Sequence, residues 1–254
     1  MKKRKLGETG LKVSEVGFGA MSLSDFWGAV DDEEATAILD ACIELGIDHL
    51  DTANIYGGGR SEERIGQYLS RYKHETRKPF YIATKAGIIK DASGKRTFNN
   101  QREYLKQQLE KSLVRLKLDC VDLFYVHRRD ATIPIEEVTE NLASLVKEGK
   151  ALSIGFSEIS PGSLLRAQSV HPIAAVQSEF SLSTRNPQLG LINRCKSTGV
   201  ALVAYSPVGR GLLTGKSFTQ EAVRENSFMS QNPRFQNPNL LLNQKILQNF
   251  KKLA

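Results

Sequence analysis

Short apolar runs alternate with stretches of helical periodicity along almost the whole chain. The runs are rich in β-branched residues and fall at 13–18, 47–51, 80–84, 120–126, 152–156, 174–177 and 200–205. Between them, apolar side chains recur at intervals of three and four, the spacing of one helix face. Over 32–45 these are Ala35, Ile38, Leu39, Cys42 and Leu45, and Gly46 follows as a stop. Ser61 predicts the N-cap of a short helix running through Ile65 and Leu69. A helix over 100–116 puts Leu105, Leu109, Leu113 and Leu116 on one face. Two more are predicted over 135–146 and 161–168, each with a proline at or near its start. A sixth is predicted over 187–196, ended by Gly199.

Such alternation predicts parallel strands joined by right-handed crossovers. Two α/β architectures satisfy it: an open doubly wound sheet and a closed (β/α)8 TIM barrel. A doubly wound dinucleotide fold wants G-x-G-x-x-G after the first strand, and Gly17, Gly19 and Leu23 do not complete that fingerprint. Ahead of the first run, residues 2–6 and 11–13 flank Gly7-Glu8-Thr9-Gly10, which predicts an N-terminal β-hairpin outside the alternation. No linker or low-complexity segment divides the 254 residues, so one domain over 1–254 is expected.

Charge changes this picture little. There are 35 basic and 28 acidic side chains, a formal balance of +7. That excess suits a phosphorylated ligand or nucleic acid, and equally a mixed, solvated surface. The one dense run, Lys2-Lys3-Arg4-Lys5, lacks the interleaved aromatics of a single-strand binder, so no nucleic-acid partner is expected. It leads into Gly7, Glu8 and Thr9 rather than an apolar stretch, so no secretory leader is expected. No apolar run is long enough to predict a membrane span. Cys42, Cys120 and Cys195 are odd in number and widely spaced, which points to free thiols, a reducing cytoplasmic setting and no zinc site.

The ends of the runs carry the candidate chemistry. The second ends at Asp51 and is followed by Thr52-Ala53-Asn54-Ile55-Tyr56; the third ends in Thr84-Lys85; the fourth ends in Val126-His127. In a (β/α)8 barrel all strand C-termini open on one face, so Asp51, Tyr56, Lys85 and His127 would meet there. A tyrosine hydroxyl titrates near 10 and is a poor acid at neutral pH. A neighbouring ammonium favours the phenolate, and a carboxylate keeps that ammonium charged and in place. A histidine can hydrogen-bond a carbonyl oxygen. Singly, each has a plain structural reading: Asp51 as a cap, Tyr56 as a half-buried aromatic, Lys85 snorkelling to solvent, His127 as a satisfied core histidine. Their joint occurrence at three consecutive run ends points to acid–base chemistry.

Several motifs resemble the aldo-keto reductase family. They are Leu50-Asp51-Thr52-Ala53-Asn54-Ile55-Tyr56-Gly57, Ala83-Thr84-Lys85 and Asp122-Leu123-Phe124-Tyr125-Val126-His127. Gly155-Phe156-Ser157, Val176-Gln177-Ser178-Glu179-Phe180, and the stretch from Tyr205-Ser206-Pro207-Val208-Gly209-Arg210-Gly211 to Gly215 follow in family order. The last variant is similar to the branch holding aldehyde and pyridoxal reductases. The resemblance implies a barrel that reduces small carbonyl substrates with NADPH and needs no metal. By it, Tyr56 donates the proton, Lys85 and Asp51 tune it, and His127 orients the carbonyl. It also places Gly19, Ala20 and Met21 near the nicotinamide and Asp51 on the ribose side. Ser157 and Gln177 match the carboxamide partners, and Tyr205 the residue against the ring. Ser206, Val208, Gly209, Arg210 and Gly211 match the loop around the pyrophosphate. Glu158 stands where the family has asparagine.

After Gly215 a loop with Pro233 and Pro238 leads to a predicted helix over 240–253, where the sequence stops. The eighth strand and last helix of the barrel, with the basic residues for a 2′-phosphate, are therefore expected to be missing. Two readings follow: a reductase that keeps its chemistry, or a truncated barrel remnant that acts through partner contacts. Candidate substrate-side residues are Phe26 and Trp27, as pocket lining or as packing, and Arg128 and Arg129, as an anion attractor or as a solvated pair.

Overall fold

The computed structural model describes residues 1–75, 78–91, 93–214, 218–225 and 229–253, with side chains through Asn249. Seven strands form one sheet: β1 (Phe18–Gly19), β2 (His49–Asp51), β3 (Tyr81–Ala86), β4 (Leu123–Val126), β5 (Ile154–Ser157), β6 (Ala175–Glu179) and β7 (Ala201–Tyr205). Their spatial order is β7-β6-β5-β4-β3-β2-β1, the order of the chain itself. Every pair from β1–β2 to β5–β6 is parallel. Sequential parallel strands are the topology of a (β/α) barrel, and an open doubly wound sheet would reverse its strand order midway.

Helices α1 (Asp32–Glu44), α2 (Arg60–Leu69), α3 (Arg102–Leu116), α4 (Ile135–Lys147), α5 (Pro161–Gln168), α6 (Leu191–Ser197), α7 (Gln220–Glu225) and α8 (Asn239–Leu253) fill the crossovers and the C-terminal stretch. No described helix is long and apolar enough to cross a membrane. The three cysteines are free thiols, Cys42 and Cys195 buried and Cys120 half-buried.

The described residues fall into two compact units, 1–178 with 190–203 and 179–189 with 204–254. In the first unit, one strand face meets the helices. Leu50, Ile82, Phe124, Ile154, Phe156 and Val176 pack with Leu39, Ile65, Leu109, Leu142 and Leu164. The opposite face is the inner one. Here Ala83, Leu123, Tyr125 and Ala175 pack with Leu6 and Val13 of the N-terminal hairpin, Lys3–Lys5 against Lys12–Ser14. Period-two alternation thus buries both faces of β3 to β6, the usual condition of a parallel sheet. In the second unit, Leu212, Val223, Phe235 and Leu240 form a separate small core. Gly215 lies outside the described residues, as do the side chains of Phe250 and Leu253 on the helix predicted over 240–253.

Four local expectations are corrected. Lys85 lies inside β3 rather than after it, and its side chain is fully buried instead of snorkelling. Helix α2 starts at Arg60, with Gly59 at the cap and Ser61 in the first turn. The buried Ser61 hydroxyl donates to the Ala20 carbonyl at 2.7 Å, so tertiary contact decides its role. The helix predicted over 187–196 is a 3₁₀ turn (Asn186–Leu189), then Gly190 at φ 131°, then α6. A second hairpin, Ile88–Lys90 with Arg96–Phe98, follows β3; its strands are three residues each, too short for apolar alternation to mark them.

Candidate active site

Strand register alone gathers five of the predicted residues. Gly19 pairs with Asp51, Asp51 with Ala83, Lys85 with Tyr125, Tyr125 with Gly155, and Gln177 with Ser157. Directly opposed residues share a sheet face, and so do residues two apart. Gly19, Asp51, Lys85, Ser157 and Gln177 therefore lie on the inner face, in the C-terminal halves of β1, β2, β3 and β5 and at the middle of β6. His127 follows β4 by one residue, and its backbone N–H donates to the Ala86 carbonyl at 2.7 Å.

Lys85 is the centre of the cluster. Its Nζ donates to Asp51 Oδ1 and, at 2.8 Å, to the Thr52 carbonyl. Its Nζ also lies 5.4 Å from the centre of the Tyr56 ring. Burial disfavours the ammonium, but the Asp51 charge, the Tyr56 hydroxyl and the hydrogen bonds outweigh it, so Lys85 is held above its ordinary value and stays charged. Asp51 uses its second oxygen as well: Gln177 Nε2 donates to Oδ2 at 2.8 Å.

Tyr56 sits in the turn after β2, half-buried, its ring edge-on to His127 with centroids 5.9 Å apart. Burial pushes its hydroxyl up, and the Lys85 and Arg128 charges pull the other way. The net value stays above the ordinary one, so the phenol is protonated at neutral pH. His127 is 7% exposed. Burial and the Lys85, Arg128 and Arg96 charges hold it well below the usual histidine value, so the ring is neutral. Its Nδ1 is buried without a protein partner. A buried polar atom left unpaired is costly, and such atoms concentrate where a ligand completes the bonding.

Ser157 is almost fully buried, and Arg128 Nη1 donates to its hydroxyl at 2.8 Å and to the His127 carbonyl at 2.6 Å. This contact of Arg128 was not anticipated; the adjacency of Arg128 to His127 was its only sequence signal. Gly19 is exposed, Ala20 buried and Met21 half-buried, at the start of a 3₁₀ turn after β1. Glu158 is exposed at φ 57°, and its carboxylate accepts from the Ser178 hydroxyl at 3.1 Å. The loop with Phe26 and Trp27 is tied to α2 by Arg64. That guanidinium donates to the Leu23 carbonyl at 2.8 Å, to Asp32 at 2.9 Å and to the Val30 carbonyl.

The remaining predicted residues belong to the second unit. Tyr205 accepts the Phe180 N–H at its carbonyl, and the Arg210 guanidinium carbon lies 5.9 Å from the Tyr205 ring centre. Ser206, Gly209, Arg210 and Gly211 all have positive φ, and Val208 is exposed. The Gly209 and Gly211 N–H groups close turns onto Ser206 and Val208. Arg210 pairs with Glu179 at 3.1 Å, and Glu179 also holds Arg234 at 2.8 Å.

A barrel-type strand order with a buried lysine and histidine beside a half-buried aspartate and tyrosine at the strand ends defines an acid–base site on an α/β scaffold. Comparison with known proteins agrees. The profile described as the Aldo/keto reductase family matches residues 15–254. An aldo-keto reductase of Schizosaccharomyces pombe, named as NADP(+)-dependent, is 36% identical, covering 99% of this chain and 74% of its own length. An aldo-keto reductase of Strobilurus tenacellus is 41% identical over 91% of this chain and 68% of its own. Among solved structures, a glycerol dehydrogenase from Gluconobacter oxydans superposes with a TM-score of 0.81 at 27% identity, over 99% of this chain and 77% of that one. An aldo-keto reductase from Bacillus halodurans, in holo form, gives 0.73 at 32% identity, over 89% and 76%. The chain belongs to the aldo-keto reductase family, a family of oxidoreductases.

Proposed function

We propose that this protein reduces aldehydes or ketones to alcohols with NADP(H), and that Tyr56 is the proton donor. The observation that carries this reading is the fully buried Lys85. It is bound to Asp51 and to the Thr52 carbonyl, and its charge lies 5.4 Å from the centre of the Tyr56 ring, which stands edge-on to a neutral His127.

The donor set fits a nicotinamide cofactor. Ser157 and Gln177 stand directly opposite each other on adjacent strands, one offering a hydroxyl and the other a primary amide. That pair matches the acceptor and donor of a carboxamide. Asp51 suits a ribose hydroxyl. Gly19, Ala20 and Met21 line the approach after β1, with no side chain at Gly19 to obstruct it. Within the second unit, the resemblance assigns Tyr205, Ser206, Val208, Gly209, Arg210 and Gly211 to the cofactor, and Arg210 brings the positive charge a pyrophosphate needs. When bound, the reduced nicotinamide supplies the hydride.

The protein's own part is positioning and proton transfer. A neutral imidazole has one N–H to donate, so His127 can hydrogen-bond the substrate carbonyl oxygen and orient it. The Tyr56 hydroxyl gives its proton to that oxygen as it becomes an alkoxide, and water then reprotonates the phenolate. Lys85 stabilises the phenolate through its charge, and Asp51 offsets the cost of burying the ammonium. The naming of the fungal relative as NADP(+)-dependent supports the choice of cofactor.

The test is Tyr56→Phe against a panel of aldehydes with NADPH. Turnover is expected to fall by about 10³-fold or more, with the cofactor dissociation constant within about twofold by Trp27 quenching. Retained turnover in the variant would overturn the assignment. Absence of saturable NADPH binding to the parent chain would overturn the function.

A further inference from the structure

Glu62 is fully buried in the first turn of α2, far from any solvent that could hydrate a carboxylate. Both of its oxygens are committed. Thr84 Oγ1 donates to Oε1 at 2.5 Å, and Arg115 of α3 donates to Oε2 from Nε at 2.7 Å, its Nη2 lying 2.6 Å from the same oxygen as an ion pair. Thr84 is the residue before Lys85 in β3, and its side chain is also fully buried. Arg115 reaches in the other direction. Its guanidinium end fills the space beside Gly59, where a Cβ would lie 2.7 Å from Arg115 Cδ and Nε. Gly59 closes the turn that begins at Tyr56.

One carboxylate thus ties the strand carrying Lys85 to the side chain packed under the turn carrying Tyr56. Its neighbours in α2 reinforce the same junction. Ser61 joins Thr52, one residue after Asp51, at 2.8 Å and the Ala20 carbonyl at 2.7 Å. A buried charge is retained at a cost in desolvation, and breaking one partner leaves the other uncompensated. Such a bond is rigid because any displacement strands a charge in an apolar setting. That rigidity is what a reaction needs when hydrogen-bond geometry is decisive.

We propose that Glu62 is a positioning residue for the reaction. Through Thr84 and Arg115 it sets the distance between Lys85 Nζ and the Tyr56 hydroxyl. The proposal rests on the assignment of Tyr56 as proton donor, and it predicts a specific kind of damage. Without the Glu62 bonds, Lys85 keeps Asp51 but loses its register with Tyr56. The Tyr56 phenol then loses part of the ammonium's influence and titrates higher.

The experiment compares Glu62→Gln, Thr84→Val and Thr84→Ser with the parent chain. It measures kcat, KM, NADPH affinity, the kcat–pH profile and the alkaline phenol absorbance difference against Tyr56→Phe. Glu62→Gln and Thr84→Val are expected to lower kcat by about 10- to 100-fold, with NADPH affinity within about twofold. The alkaline limb of kcat and the Tyr56 absorbance titration should both move to higher pH. Thr84→Ser keeps the hydroxyl and should recover most of kcat. If Glu62→Gln does not fold, the two Thr84 variants decide the question, since they leave the Glu62–Arg115 pair in place. Variants that lose thermal stability but keep the parent kcat and both pH curves would overturn the proposal. Failure of the parent reading has a different signature: Tyr56→Phe would then turn over normally, whatever the Glu62 variants do.

Discussion

Gln177 donates its side-chain amide to Asp51 Oδ2 at 2.8 Å across 126 residues of chain, while Lys85 occupies the other oxygen of the same carboxylate. Asp51 is therefore held from two strands at once. The lysine that tunes Tyr56 is only as well placed as this aspartate. Gln177 also stands opposite Ser157, so one side chain couples the proposed carboxamide site to the proposed proton-donor site.

Gln177→Leu removes that coupling while keeping similar volume. Hydrogen bonds to a charged group contribute about 1.5–3 kcal/mol. The variant is expected to lower kcat/KM by about 10-fold or more and to weaken NADPH binding. Steady-state kinetics and fluorescence titration check both. Unchanged values in both assays would show that Asp51 needs no support from Gln177.

Burial first, then the Lys85, Arg128 and Arg96 charges, hold His127 well below the usual histidine value, and burial holds His49 below it against the opposing Asp51 and Asp48 charges, with Lys85 assisting. The unfolded chain binds more protons than the native state between the depressed folded values and about 6.5. In that window stability rises with pH, and it is lost as the pH falls below about 6.5. Each histidine contributes a slope of at most about 1.4 kcal/mol per pH unit. Urea unfolding between pH 5 and pH 7 should show a flatter dependence in His49→Asn and His127→Asn than in the parent. An identical slope in both variants would contradict the neutral assignment.

Arg64 offers a structural test of the loop around the single tryptophan. Its side chain is 5% exposed and bridges the Leu23 and Val30 carbonyls to Asp25 and Asp32. Arg64→Met removes the donor to the Leu23 and Val30 carbonyls and to Asp32, while Asp25 keeps Arg60 and the Val30 N–H. A loss of about 2–4 kcal/mol in unfolding free energy is expected. Trp27 emission should become more accessible to a soluble quencher. Unchanged Trp27 quenching would show that Arg64 does not fix this loop.

Gly66 marks the closest approach of α2 to α3. A Cβ there would lie 2.0 Å from the Arg115 carbonyl oxygen. Alanine normally gains about 1 kcal/mol over glycine in a helix. Here backbone must move, so Gly66→Ala is expected to destabilise by about 1–3 kcal/mol. A raised melting temperature in the variant would refute this contact.

Much of the fold was legible because hydrophobic periodicity is a local property. Six of the seven strand segments and the helices around Leu39, Leu109 and Leu142 follow from apolar spacing; the first run, 13–18, instead divides between the hairpin strand Lys12–Ser14 and the sheet strand Phe18–Gly19. The boundaries that failed did so where tertiary contacts overrode local signals. Ser61 has the chemistry of a cap, but a carbonyl from another loop takes its hydroxyl. Lys85 has the chemistry of a surface residue, but Asp51 makes full burial tolerable. Gly190 breaks an otherwise continuous helical pattern through its positive φ.

The sequence by itself determined the alternation, the parallel sheet and the presence of Asp51, Tyr56, Lys85 and His127 at strand ends. Tertiary packing set which oxygen of Asp51 serves which partner, that His127 is neutral, that Arg128 bonds Ser157 beside the cluster, and that Glu62 ties Thr84 to Arg115 behind it. The physical reason is range. Periodicity is written by neighbours a few residues apart. Charge state and hydrogen-bond geometry are set by groups from distant segments that meet in a setting too dry for water to replace them.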